Sequence, residues 1–220
     1  EARTNTLLEL SQMTDRSAAE IANCAMESVI KLTGSTIGYI AFVNEDETVL
    51  TMHYWSNSAM RECAIIDKPI VYPVKDTGLW GEAIRQRKAD ITNDYAAPNP
   101  HKNGTPTGHV QLTRHMNIPV FDGGKIVAVA GIGNKAADYQ DDDVRQLTLF
   151  MDGMWRILCR KRAEEAVRES EERHRVLFES SRDAIMTLAP PSWKFTSGNP
   201  ATAEMFATKD EAELLSLGPW

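Results

Sequence analysis

Six side chains in this sequence are suited to hold a small molecule. Arg114 can clamp an anionic group through two parallel N–H donors, or it can pair with an acid on the protein surface. Trp80 offers a large flat contact, although a tryptophan on the apolar face of a helix more often belongs to the core. Asp94 follows a short predicted strand and can face a ligand or cap the next turn. The other three residues are Cys63, Tyr95 and His115.

Cys63, His109 and His115 raise the question of haem, because histidine and thiolate are common axial ligands of haem iron. The sequence contains no CxxCH attachment motif, and a single histidine in a strand is usually a hydrogen-bonded structural residue. A redox-reactive thiol at Cys63 needs a lowered pKa and exposure, which a sequence does not reveal. A haem or redox sensor that uses Cys63 or a histidine is therefore kept as an alternative.

Motifs of enzymes and metal sites are absent from the sequence. It contains no HExxH sequence, paired-cysteine motif, calcium-loop spacing, nucleophile elbow or glycine-rich phosphate loop. We therefore expect neither catalysis nor a metal site in this segment.

The composition is that of an ordinary globular protein. The 220 residues are 42% hydrophobic, and their formal net charge of -7 argues against nucleic-acid binding, which requires clustered lysine and arginine. Three widely spaced cysteines indicate a reducing, cytoplasmic setting. The longest uncharged apolar run, Ile126–Gly133, is too short to span a bilayer. We expect a soluble segment, and a longer parent chain can still carry a membrane anchor elsewhere.

Hydrophobic patterns predict the elements that position these residues. Apolar residues at helical spacing before Gly34 predict an N-terminal helix that is broken near residues 15–17. Residues 93–106 are rich in proline, asparagine and glycine, which predicts a long irregular loop that is either functional or mobile. Apolar runs predict the main strands: Ile37–Val43 and Val49–Trp55 as an antiparallel hairpin, then Leu112–Phe121 and Lys125–Gly133.

A long helix is predicted to begin at the acidic turn Asp141–Asp143, where the helix dipole favours negative charge. An apolar stripe continues to Leu158 and predicts that this half packs on the sheet. Beyond Arg160 the pattern changes to opposite charges four residues apart. This second half fits either a parallel helix pair or a solvated connector.

The order of these elements, together with several short motifs, resembles the GAF domain, a small-molecule-sensing module of bacterial and archaeal signalling proteins. Each motif alone is weak, and their combination is more specific. They cover about residues 1–160: Gly78-Leu79-Trp80-Gly81, Asn93-Asp94-Tyr95, Gly108-His109, Arg114, Asn117-Ile118-Pro119-Val120, Ala130-Gly131-Ile132-Gly133-Asn134-Lys135, and Tyr139 with Asp143.

The resemblance implies an α+β fold with a central antiparallel sheet of about six strands, flanked by helices and followed by a long C-terminal signalling helix. It also implies a mostly apolar pocket between the sheet and the short helices and loops on one face. We place the predicted ligand-binding residues there: Cys63, Trp80, Asp94, Tyr95, Arg114 and His115. The resemblance does not identify the ligand or a cofactor.

Asn134, Lys135, Tyr139 and Asp143 resemble the pattern of cyclic-nucleotide-binding members of that family. However, a tyrosine stands where those members have phenylalanine, and Val144 stands where they have glutamate. We therefore prefer a structural interpretation, in which Lys135 and Asp143 pair across the corner between the last strand and the long helix and brace it.

The end of the chain, from residues 170–179 through 183–185 to 199–201, resembles the start of a PAS domain. We predict a GAF-like sensory domain at 1–158, a connecting signalling helix at 159–178 and an incomplete PAS-like domain at 179–220. Such an arrangement is typical of sensor histidine kinases and other two-component regulators. The chain lacks an initial methionine and stops shortly after a new element begins, so we interpret it as part of a longer protein.

Two functional hypotheses follow. In the first, the segment is a non-enzymatic sensory module that binds a small molecule and relays the change through the exit helix to the PAS and output domains of the same chain. In the second, it is a ligand-free dimerisation and relay module, in which terminal helices pair between two chains. We expect a homodimer that forms through the terminal helices. We expect no binding of nucleic acid.

Overall fold

The computed structural model describes residues 2–13, 15–62, 71–103 and 110–217. The chain forms two compact units, Glu1–Lys161 and Arg162–Trp220. A long helix, α5, contributes its first part to one unit and its remainder to the other.

Two helices separated by a capped break begin the chain. Helix α1 spans Ala2–Gln12 and α2 spans Ala18–Thr33. Ser17 starts α2 through a capping box, in which its hydroxyl accepts a hydrogen bond from the Glu20 amide and the Glu20 carboxylate accepts one from the Ser17 amide. The predicted break in the N-terminal helix is confirmed.

An antiparallel sheet forms the centre of the first unit. In the described part of the chain it has six strands in the order β3-β2-β1-β6-β5-β4. This confirms the predicted fold class, an antiparallel sheet of about six strands with flanking helices. The strands are β1 (Ile37–Val43), β2 (Val49–Trp55), β3 (Val71–Pro73), β4 (Asp90–Thr92), β5 (His115–Asp122) and β6 (Lys125–Gly133).

Strand β5 begins three residues later than predicted, at His115 instead of Leu112. The cause is Asn134, whose side-chain oxygen accepts hydrogen bonds from the amide and hydroxyl of Thr113 at 2.8 and 3.2 Å. Because this side chain supplies the bonding partner of Thr113, the ladder between β5 and β6 starts after it.

Short helical elements lie between β2 and β4 in the chain. Helix α3 (Asn57–Glu62) contacts α2, where the Asn57 amide donates to Glu27. Single 3-10 turns at Val74–Asp76 and Leu79–Gly81 and helix α4 (Glu82–Arg85) form a layer on one face of the sheet. Ile84 and Val74 pack from this layer onto sheet residues such as Leu50 and Val129. A larger core lies on the opposite face, where α1, α2 and the first part of α5 pack.

Helix α5 spans Asp141–Ser180, and its first turn carries the three predicted aspartates. Its last buried residue is Leu158, and none of residues 159–180, all of which the structure describes, is buried. In the described part of the chain, helices that are both long and apolar enough for a membrane span are absent.

The second unit follows the end of α5 with two paired strands and two short helices. Strand β7 spans Met186–Ala189 and β8 spans Lys194–Gly198, followed by α6 (Pro200–Met205) and α7 (Glu211–Ser216). Asn199 caps α6, as the sequence predicts. The PAS identity of this unit and the predicted boundaries at residues 158 and 178 stay predictions.

Candidate functional site

Four residues form one row across the sheet, on the face covered by α4. Tyr39, Gly131, Asn117 and Asp90 are successive partners on β1, β6, β5 and β4. Side chains that are partners in this way point to the same face of a sheet. The Tyr39 hydroxyl donates to Asn117 Oδ1 at 2.6 Å. Since Gly131 has no side chain, the Tyr39 ring occupies the space above it.

Trp80 stands over this row on the 3-10 turn before α4. Its ring meets Tyr39 edge-on, with centroids 6.4 Å apart, and meets Tyr72 edge-on at 4.9 Å. Edge-to-face contacts at these distances are favourable. Trp80 therefore joins the sheet to the layer above it.

His115 and Tyr95 continue the aromatic group towards β4. The His115 ring stacks on Tyr39 with centroids 6.4 Å apart, and Tyr95 meets His115 edge-on at 6.1 Å. Lys102 Nζ lies 4.6 Å from the Tyr95 ring centre and donates to the Tyr95 carbonyl. We call this group the aromatic recess and define it by Tyr39, Tyr72, Trp80, Asp90, Tyr95, His115 and Asn117.

The residues of the recess differ in exposure. His115 and Asn117 at its floor are buried, whereas Tyr39, Trp80 and Tyr95 at its walls are partly exposed. Burial raises the pKa of both the Tyr39 and the Tyr95 hydroxyls. Both phenols are therefore neutral and can act as hydrogen-bond donors near neutral pH.

Asp90 is the acidic member of the recess. Burial of its carboxylate raises its pKa above the ordinary value of 3.8, and the negative charge of Glu82 adds to this effect. Glu82 on α4 is itself only 3% exposed. Burial opposes the ionisation of Glu82, but hydrogen bonds from Gln86 and Arg85, both 2.6 Å long, outweigh it and lower the pKa of Glu82.

Asn93 connects the recess to the start of α5. It lies between β4 and Tyr95, and its side-chain amide donates to the Tyr139 carbonyl at 3.0 Å while its oxygen accepts from the Tyr139 amide at 2.7 Å. Tyr139 is 2% exposed, and its hydroxyl bonds Ser35 at 2.8 Å just beyond the end of α2. The segment before α5 is thus held to both β4 and α2.

Lys135 and Asp143 lie together at the same corner. Lys135 Nζ donates to both carboxylate oxygens of Asp143, at 2.6 and 2.8 Å, and the Gln140 amide donates to Asp143 Oδ2 at 2.9 Å. The two charged side chains are 23% and 12% exposed. This geometry is that of a partly buried, hydrogen-bonded ion pair between the end of β6 and the first turn of α5.

We expect Lys135→Met to lower the free energy of unfolding of the first unit by about 2 kcal/mol, because the Asp143 carboxylate loses its cation. Urea denaturation followed by tryptophan fluorescence measures this change. Arg145→Met is the matched control, since Arg145 and Asp142 form a pair that is 68% and 62% exposed. Such a surface pair contributes about 0.5 kcal/mol or less. Equal losses in the two variants would contradict a bracing role for Lys135.

The six predicted ligand-binding residues do not all lie in the aromatic recess. Trp80, Tyr95 and His115 do, whereas Cys63 lies outside the described residues, as does His109 of the haem alternative. The Asp94 carboxylate accepts hydrogen bonds from the Ala96 and Ala97 amides and so caps its own turn. The Arg114 guanidinium pairs with Asp138 at 2.8 Å. The ligand-binding role of all six residues stays a prediction.

Sequence reasoning did not assign four residues of this region to the site: Tyr39, Asp90, Asn93 and Asn117. Of these, Asn93 and Asn117 stand in the motifs quoted above. Asn117 carried a usable signal, since it is a polar residue inside the apolar run of β5, and it is fully buried. The importance of Tyr39 and Asn93 comes from partners at least forty positions away in the chain, Asn117 and Tyr139. Asp90 gains its place by pairing with Asn117 across the sheet. Among the described residues, histidine, cysteine, aspartate and glutamate side chains form no metal-binding group.

The antiparallel sheet and its flanking helices place this chain in a known class of sensory domains. Residues 15–158 match the model of the GAF domain. The chain belongs to the GAF domain family.

A related protein is the methyl sulfide methyltransferase-associated sensor of Methanosarcina acetivorans, which is 59% identical over 167 residues. The alignment covers 76% of this chain and 17% of that protein, so this chain spans less than a fifth of its relative.

Solved structures share the fold at low identity. The GAF domain of a phosphoenolpyruvate-protein phosphotransferase from Coxiella burnetii is 10% identical with a TM-score of 0.59, covering 74% of this chain and 96% of that one. Free methionine-R-sulfoxide reductase from Neisseria meningitidis is 13% identical with a TM-score of 0.52, covering 76% and 91%. At such identities the likeness concerns the fold alone.

Proposed function

We propose that this chain is the sensory module of a multi-domain signalling protein, which binds a small molecule in the aromatic recess and relays the change through α5. One observation carries the proposal: residues 93–95 serve both the recess and the exit helix. Tyr95 forms a wall of the recess, and Asn93, two residues earlier, holds the Tyr139 backbone directly before α5.

The relay needs a ligand that binds two arrangements of this segment with different affinity. A ligand that displaces Tyr95 pulls on Asn93, and Asn93 transmits the displacement to Tyr139 and so to the first turn of α5. The Lys135–Asp143 pair and the Tyr139–Ser35 bond resist that movement. Because these contacts hold the rest of the corner in place, a displacement of the Tyr139 backbone changes the direction in which α5 leaves the sheet.

The name of the related protein supports a sensory role for the parent of this chain. The protein from Methanosarcina acetivorans is named as a sensor associated with a methyl sulfide methyltransferase. We infer that the parent of this chain is a regulator of the sensor histidine kinase type, that the second unit begins a PAS-like domain, and that the protein is cytoplasmic. Pairing of terminal helices between two copies, without a ligand, is the competing function.

A first experiment separates ligand binding from a ligand-free module. Native mass spectrometry of the freshly purified chain is expected to show a bound compound, and adding that compound to stripped protein raises the melting temperature. A visible absorption spectrum of the same sample tests the haem alternative, since a Soret band identifies haem directly. Absence of a bound compound, of a chromophore and of a melting shift across a metabolite screen would favour the ligand-free module.

We expect Asn93→Ala to separate ligand binding from the relay. In the wild type, the compound found by mass spectrometry should change hydrogen exchange in the first two turns of α5. In Asn93→Ala the compound should still bind, and the change in α5 should fall at least threefold, because the Tyr139 amide and carbonyl lose their partner.

Asn44→Ala is the matched control for this variant. Asn44 also anchors a backbone segment through its side chain, by accepting from the Thr48 and Val49 amides, but it lies in the turn between β1 and β2. Its removal should leave the α5 response intact. A full α5 response in Asn93→Ala would contradict the proposed relay.

A further inference from the structure

Asp90 Oδ2 is buried and accepts no hydrogen bond from any residue that the structure describes. Buried side-chain oxygens in folded proteins nearly always have a partner, because an unsatisfied one loses its hydration without compensation. Asp90 is the partner of Asn117 on the sheet, and Asn117 holds the Tyr39 hydroxyl. The unsatisfied oxygen therefore belongs to a residue at the edge of the aromatic recess.

Three basic side chains, those of His101, Lys88 and Arg85, act electrostatically on Asp90, and none of them donates to its Oδ2. The Arg85 guanidinium donates to Glu82 at 2.6 Å and to the carbonyls of Val74 and Gly78, both at 2.7 Å. These bonds fix Arg85 along α4 and the turn before it. Because its donors point to those acceptors, Arg85 satisfies Glu82 and leaves the Asp90 oxygen to another donor.

The charge and surface of the recess favour a positive ligand. Two carboxylates, Glu82 and Asp90, lie on this side of the sheet, and the charge of Glu82 makes Asp90 harder to ionise. The rings of Tyr39 and Trp80 supply electron-rich faces, which attract cations. The Tyr95 ring already lies beside the Lys102 ammonium, 4.6 Å from the ring centre. A cation with an N–H group would satisfy the orphan oxygen and reduce this repulsion at once, whereas an anion would increase it.

We infer that the aromatic recess takes a small organic cation with at least one N–H, and that Asp90 Oδ2 accepts the hydrogen bond from that nitrogen. The inference rests on the proposed function, since it names the class of ligand for the same site. The rings of Tyr39 and Trp80 contact the apolar part of the cation, and Asp90 selects its charge. Asp90 is in this sense a specificity-determining residue.

The test titrates the whole chain with methylammonium chloride and follows the amide resonances of Asp90 and Asn117 by nuclear magnetic resonance. We expect saturable shifts at both amides in the wild type. In Asp90→Asn we expect the dissociation constant for methylammonium to be at least tenfold larger. Tetramethylammonium, a cation without N–H, should bind the wild type about tenfold more weakly than methylammonium. Sodium acetate and sodium chloride should produce no saturable shift at these amides.

A stability measurement shows that Asp90→Asn folds and tests the orphan oxygen independently. The charged groups that face Asp90 are those of Glu82, Arg85, Lys88 and His101, with the Tyr39 hydroxyl nearby. A raised pKa means that Asp90 favours folding below its ordinary value of 3.8, and that this contribution is lost as the pH rises through the folded-state pKa. We therefore expect Asp90→Asn to melt about 3 °C above the wild type at pH 7, with the difference vanishing near pH 3.

Asp76→Asn is the matched control, since Asp76 is an exposed aspartate on the same layer. It should change neither the affinity for methylammonium nor the pH dependence of melting. Equal affinity of wild type and Asp90→Asn for methylammonium would overturn the inference, as would a Soret band or a neutral or anionic compound bound in the recess. In those last two cases the sensory function stands. If no compound of any charge binds and α5 does not respond, the proposed function falls as well.

Discussion

Gly131→Ala should lower the free energy of unfolding of the first unit by about 3 kcal/mol and abolish ligand binding in the aromatic recess. A Cβ atom at this position would lie 2.5 Å from Tyr39 Cζ and would also overlap Asn117 Oδ1. Since both side chains are held by their mutual hydrogen bond, neither can move without breaking it. Overpacking of this kind costs about 1–3 kcal/mol, and loss of the hydrogen bond adds about 1 kcal/mol.

Thermal unfolding of the whole chain measures this effect. A loss of 3 kcal/mol corresponds to a melting temperature of the first unit about 10 °C lower. Gly153→Ala is the control, because the atoms nearest to a Cβ there belong to the flexible Leu7 side chain, at 2.8 Å, and alanine is the better helix former. We expect that variant to change stability by less than about 1 kcal/mol. A melting temperature of Gly131→Ala within 2 °C of the wild type would contradict the packing argument.

The main elements of the first unit could be predicted from the sequence because their signals are local. Strands β1, β2 and β6 follow their predicted apolar runs, and α5 begins at the predicted acidic turn. The start of β5 was misplaced because Asn134 replaces a strand partner of Thr113 from twenty-one positions away. Periodicity contains no information about such a side-chain bond.

The aromatic recess could be predicted only in part, for the same physical reason. Trp80, Tyr95 and His115 were found because large or titratable side chains attract notice by type alone. Tyr39, Asp90 and Asn117 meet through strand register, and a single residue of slip would move each to the other face. Arg114 and Asp94 were chosen because their residue types suit a ligand. In the structure the Arg114 side chain bonds Asp138, and the Asp94 side chain bonds its own turn.

Sequence and structure together locate the points where α5 can be controlled. At its start, the Lys135–Asp143 pair and the Asn93–Tyr139 bonds act on one turn of helix. Beyond Leu158 the helix buries no residue, so its second half depends on what holds its far end. In the second unit that role falls to Asn199.

Asn199→Ala should cost the second unit about 4 kcal/mol, enough to unfold a unit of this size. The Asn199 side chain is 1% exposed, accepts from the Ile185 and Thr202 amides, and donates to the carbonyls of Phe178 in α5 and Asp183 at 3.1 and 2.9 Å. Alanine leaves these buried backbone groups without partners and removes the cap of α6. Hydrogen exchange of residues 183–206 should rise to that of an unfolded chain, while the sheet of the first unit keeps its protection.

Two further variants separate a clamp from a simple helix cap. Asn199→Asp keeps the acceptor that caps α6 but places a negative charge against the Phe178 and Asp183 carbonyls, so a clamp predicts a loss of stability close to that of the alanine variant. A simple cap predicts behaviour like the wild type, since aspartate caps helices as well as asparagine does. Thr187→Ala, which removes an exposed hydroxyl pair with Thr196, should leave exchange in this unit unchanged. If hydrogen exchange of residues 183–206 in Asn199→Asp equals that of the wild type, Asn199 acts only as a helix cap. Another residue would then have to anchor the end of α5.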